Sequence, residues 1–105
     1  HTEPLEGYII STKDSLTTIG QNQIIYIDRG KKDNIMVGNL FEVYLPGEKK
    51  KGEATKKVIQ LPPKIIGRLV ILSVGENYST ALVTNSSQEF SLGEHIRTAR
   101  FRPGQ

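Results

Sequence analysis

The chain contains no cysteine. That excludes disulfides, thiolate zinc sites and thiol nucleophiles, and it leaves the redox compartment open. No apolar run approaches the ~20 residues that a membrane-spanning helix requires. No stretch of about ten residues or more carries a 3.6-residue hydrophobic period, which argues against an α-helical fold. Histidine is limited to His1 and His95, so a metal site of several converging nitrogen or sulfur ligands is not expected. The Gly-Lys-Ser/Thr ending of a phosphate loop, Gly-x-Gly-x-x-Gly and Gly-x-Ser-x-Gly are all missing.

What remains is a chain of 105 residues, a length that suits one domain. Such a chain buries roughly 60–70% of its unfolded surface, enough for one core without staples. It begins at His1 rather than Met, which suggests a piece of a longer protein. The net charge of +3 is local. The segment from Glu48 to Lys57 holds five lysines and two glutamates, so basic and acidic residues balance over the rest of the chain.

Short β-rich segments separated by turn residues dominate the pattern. Gly7 to Thr12 reads as a first strand, and Gln23 to Asp28 as a second whose continuous apolar character predicts burial on both faces. Between them, Lys13 to Asn22 reads as a loop, with Leu16 and Ile19 spaced to anchor it on the core. Ile27 to Tyr44 is strand, ordered loop, strand. Gly30 and Asn34 in its loop are predicted to take left-handed backbone angles. Leu40 to Leu45 alternates, with Phe41, Val43 and Leu45 on one face. Pro46-Gly47 ends that strand, and the lysine-rich segment that follows reads as a mobile loop. Val58 to Leu61 reads as a short returning strand. Ile65 to Val74, Gly75-Glu76-Asn77 and Ser79 to Thr84 form a hairpin. Asn85 to Gln88 turns again, and His95 to Ala99 is a last strand.

This spacing predicts an all-β fold, a small and mostly antiparallel β-barrel of about six strands with a long basic loop. Residues 7–100 would form the barrel, with flexible tails at 1–6 and 101–105. A faint internal echo links Val37-Gly38-Asn39-Leu40-Phe41 to Leu92-Gly93-Glu94-His95-Ile96. Physically it reads as a tight turn feeding a strand.

Few residues suggest chemistry. His95 reads as a half-exposed strand residue rather than a base. Asp28, Asp33, Asn34 and Asn39 make the central loop rich in oxygen, but the spacing is not that of a calcium loop. Their plainer role is bonding to loop amides. Glu42, Glu76, Glu89 and Glu94 read as solvated rather than as a catalytic pair. Tyr8, Tyr26, Tyr44 and Tyr78 are scattered and read as core or rim. The candidate binding residues are Lys49, Lys50, Lys51, Lys56 and Lys57. They suit an anionic partner, and their plainer reading is a solvated hairpin tip. No catalytic residue, metal or cofactor is expected.

Several residues carry a resemblance. They are Asp28-x-Gly30; Asn34-Ile35-x-Val37-Gly38-Asn39-x-Phe41-x-Val43; Ile66-Gly67-x-Leu69-x-Ile71-x-x-Val74; Ser79-Thr80-Ala81-Leu82-Val83; and Gly93-Glu94-x-Ile96. Together they resemble the β-rich domain that follows LysM peptidoglycan-binding repeats in bacterial envelope proteins. The pattern is also similar to the C-terminal β-barrel domain of flagellar assembly protein T. It spans residues 7–98. Asn34 stands where the family pattern often has Gly, and Asn39 where it often has Asp. LysM repeats are themselves absent from this sequence, so peptidoglycan affinity is not carried over and only an envelope context is implied. The resemblance implies a non-catalytic accessory domain in the periplasm or cell envelope, with an envelope protein or an anionic wall polymer as partner. A nucleic-acid-binding barrel using the lysine loop is the alternative, and it is disfavoured by the lack of aromatics beside the lysines.

Overall fold

The computed structural model describes residues 4–14, 17–52 and 57–99. The described chain is all-β apart from one 3-10 turn (Lys31–Asp33). Six strands close an antiparallel barrel: β1 (Glu6–Thr12), β2 (Ile24–Ile27), β3 (Leu40–Leu45), β6 (Lys64–Val74), β7 (Ser79–Ser86) and β8 (His95–Thr98). Around the barrel the order is β1-β2-β7-β6-β3-β8. The other two strands, β4 (Lys49–Lys51) and β5 (Val58–Gln60), pair only with each other among the described residues. Closure removes the exposed sheet edges that so many β-branched residues would otherwise present.

The barrel is filled. Ile9, Ile25, Ile27, Phe41, Val43, Leu69, Ile71, Ala81, Val83 and Ile96 project inward from the six strands. Phe90 and Ile19 pair across an isolated bridge and cover one end. Ile35 covers the other. The interior therefore consists of packed side chains, as in other small barrels.

The two triplets β1-β2-β3 and β6-β7-β8 are related by a pseudo-twofold. The Gly38 amide donates to the Ile71 carbonyl at 2.8 Å, and the Ile71 amide donates to Asn39 at 2.9 Å. In the equivalent place, Gly93 donates to Ile9 at 2.8 Å, and Ile9 donates to Glu94 at 3.1 Å. Both glycines have positive φ, 91° and 87°. The ladder of β1 on β2 slips between Ile9 and Ser11, and that of β6 on β7 slips between Ile71 and Ser73. The extra residues, Ile10 and Leu72, both face solvent. Glu6 lies opposite Arg97 as Arg68 lies opposite Glu42. The faint echo in the sequence marks this symmetry.

Several expectations need correction. Asn34 is left-handed at φ 64°, but Gly30 is extended at φ −150°. Gly30 is needed for space: a Cβ there would run into the main chain at Gly75, Glu76 and Tyr78. Strand β2 buries only Ile25 and Ile27. Ile24 and Tyr26 lie on the outer face, half-covered, because a closed barrel has one interior. Strand β7 runs on to Ser86, into the residues read as a turn. Leu5 is tied to Thr98 by two hydrogen bonds, so the barrel begins before residue 7. Leu16, residues 1–3 and residues 100–105 lie outside the described residues.

Candidate functional site

The lysine segment is a β-hairpin arm. Strand β4 pairs with β5 in the register Lys49 with Gln60, Lys50 with Ile59 and Lys51 with Val58. This corrects the expectation of a mobile loop over residues 49–51, while the expected return strand is present. Local polarity hid the pairing, because lysine is a weak strand former on its own. At the root of the arm the Leu61 amide donates to Glu48 at 2.9 Å. The Gln60 side-chain amide donates to Gly47 and Leu61 at 3.2 and 3.1 Å. A Cβ on Gly47 would collide with the Leu61 main chain, so only glycine lets the two roots cross this closely. Toward the tip, the Gly52 amide donates to Lys57 at 2.9 Å.

The arm gathers charge and apolar surface together. Lys49, Lys51 and Lys57 are exposed. Val58 and Ile59 are 68% and 51% exposed, among the most open large apolar side chains of the described chain. Lys56 and the side chain of Lys50 lie outside the described residues.

A second cluster on the outer wall was not legible in the sequence. His95 on β8 lies opposite Tyr8 on β1 and Tyr44 on β3. Its ring is 5.0 Å from that of Tyr8 and 5.5 Å from that of Tyr44. The next rung holds Glu6, Arg97 and Glu42. Arg97 Nε meets Glu42 Oε1 at 3.2 Å, and its guanidinium lies 4.9 Å from the centre of the Tyr44 ring. Glu42 is therefore paired and largely covered, not solvated as expected. Burial raises the Tyr44 hydroxyl above its ordinary value of 10.0, helped by the charge of Glu6 and by the hydrogen bond Glu6 accepts, while Arg97 pulls it down. His95 Nδ1 is buried without a hydrogen-bond partner among the described residues. The tyrosines are thus paired on the wall rather than scattered: Tyr26 and Tyr78 also meet edge to face at 6.2 Å. Cross-strand neighbours of this kind depend on register, which no short motif encodes.

Asp33 and Asn39 bind loop amides, as anticipated, whereas Asp28 binds an amide of strand β1. Asp28 Oδ1 accepts from Tyr8 at 2.8 Å, Asp33 Oδ2 from Gly30 at 3.0 Å and Asn39 Oδ1 from Met36 at 2.9 Å. Among the described residues no three His, Asp or Glu side chains converge as metal ligands. Among the same residues no helix is long and apolar enough to cross a membrane. No family model, curated protein or solved structure matches the chain.

Proposed function

We propose that this barrel is a non-catalytic interaction module of a bacterial cell-envelope protein, of the kind that accompanies LysM repeats. The envelope setting rests on the resemblance of residues 7–98. The mode of action rests on one observation, the β4–β5 arm. It stands outside the sheet that closes the barrel and carries exposed lysines beside Val58 and Ile59. Lysine supplies unspecific attraction to an anionic surface, and Val58, on the same face as Lys49 and Lys51, supplies apolar area to bury on contact. Three of the acids serve the structure: Asp28 accepts from the Tyr8 amide of β1, Asp33 from the Gly30 amide, and Glu42 holds Arg97.

The test compares the wild-type domain with a variant in which residues 48–61 are replaced by a short Gly-Ser turn. Co-sedimentation with purified cell-wall sacculi, and crosslinking in an envelope extract, should both depend on the arm. Retention that is equal without the arm, or absent with it, would sink the proposal. A labelled oligonucleotide serves as control. Tight binding that falls steeply with salt would instead favour the nucleic-acid alternative.

A further inference from the structure

We infer that the free edge of β4 is a docking edge for an extended acidic segment of a partner protein, which would add a third strand to the arm. The inference deepens the interaction-module reading and rests on it.

The geometry of the arm decides which groups are available. Direct bonds join Leu61 to Glu48 and Gly52 to Lys57. In an antiparallel ladder bonded and non-bonded pairs alternate, so Lys50 and Ile59 form the bonded pair between these two. The main-chain N–H and C=O of Lys49 and Lys51 therefore point away from β5. Among the described residues strand β4 has no second neighbour, because the sheet it belongs to has two strands. Lys49 and Lys51 lie two apart, so their side chains share one face of the arm.

An incoming antiparallel strand would exchange two hydrogen bonds with each of these lysines. The residues that do so sit directly opposite, on the same face as the lysine side chains. Acidic residues at alternate positions would then meet Lys49 and Lys51 while their amides and carbonyls complete the ladder. A second copy of this chain is a poor occupant, because antiparallel pairing of two β4 edges sets lysine against lysine. The same lysines guard the edge against indiscriminate pairing, and a guarded edge admits only the complementary charge. A two-stranded hairpin is marginal in water, so a third strand would also stabilise the arm.

The experiment measures fluorescence anisotropy of a labelled eight-residue peptide that alternates Glu with Val, against a Lys-Val counterpart. The whole domain should bind the Glu peptide and not the Lys peptide. The double substitution Lys49→Glu, Lys51→Glu should reverse that preference. N-methylation of every glutamate amide should weaken binding about tenfold or more, since each lost main-chain bond is worth ~1 kcal/mol. N-methylation of every valine amide, whose N–H faces away from the arm, should leave affinity nearly unchanged. Equal binding of the two methylated peptides would reduce the site to charge adhesion and overturn the inference, as would no binding of the parent peptide. Either failure leaves the arm-dependence of sacculus and envelope binding as a separate result, so the two readings fall independently.

Discussion

The Tyr44 hydroxyl donates to Glu6 Oε2 at 3.3 Å across the outer wall of the barrel, linking β3 to β1 over the intervening β8. Burial and the Glu6 carboxylate hold that phenol protonated beyond its ordinary value of 10.0. The unfolded chain ionises first as pH rises, so the unfolded state holds fewer protons in that window. The contribution is whole below pH 10 and is lost as pH climbs past it. Wild type should therefore lose urea stability above pH 10 faster than Tyr44→Phe. A difference between the two proteins that stays constant from neutral pH upward would refute the assignment.

Gly30 and Gly20 separate two uses of glycine. A Cβ on Gly30 would stand 2.7 Å from both the Glu76 carbonyl oxygen and the Tyr78 amide nitrogen, atoms that cannot swing aside. A Cβ on Gly20 meets nothing within 4 Å among the described residues. Gly30→Ala should cost about 2–3 kcal/mol as an overpacking change. Gly20→Ala should be neutral or stabilising by up to about 1 kcal/mol, through the unfolded chain. Denaturation midpoints measure both. Equal effects would mean that the turn after β6 can yield.

Ser79 is fully buried, and its hydroxyl has no hydrogen-bond partner among the described residues. It occupies an inward position on β7, in line with Ala81 and Val83. A buried hydroxyl without a bond gives up its hydration for nothing in return. Ser79→Ala should stabilise the barrel by about 1 kcal/mol in chemical denaturation. Destabilisation of that size would show that the hydroxyl is satisfied in solution.

Gly47→Ala should act on the arm alone. The added methyl meets the Leu61 main chain at the root of the hairpin, outside the barrel ladders. Amide exchange at Gly52 and Leu61, whose N–H groups bond across the arm, should quicken, while β6 and β7 stay protected. Loss of protection throughout the chain would show that the arm and the barrel unfold as one unit.

The barrel was legible because its signals are local. Alternation in Leu40 to Leu45, the turn at Gly75 to Asn77 and the left-handed Asn34 can each be read within a few residues. The arm is half legible: Val58 to Leu61 reads as a strand, but its partner is three lysines whose pairing depends on the return of the chain. The wall cluster was illegible for a similar reason. Tyr8, Tyr44 and His95 meet only once the registers of β1, β3 and β8 are fixed, and the ladder of β1 on β8 joins opposite ends of the sequence. Gly30 was read for backbone freedom when what it supplies is room, since the crowding comes from residues far along the chain.

The pseudo-twofold has a consequence for assembly. Strand β2 of the first triplet leans on β7 of the second, and β3 on β6 and β8, so neither triplet owns a sheet it can finish. Only β1 with β2 and β6 with β7 are joined inside a triplet. The chain is laid out as two unlike halves on one tether, and the tether is the arm. A protease cutting the arm beyond Gly52 would leave two fragments that complete each other, much as partners in a dimer do.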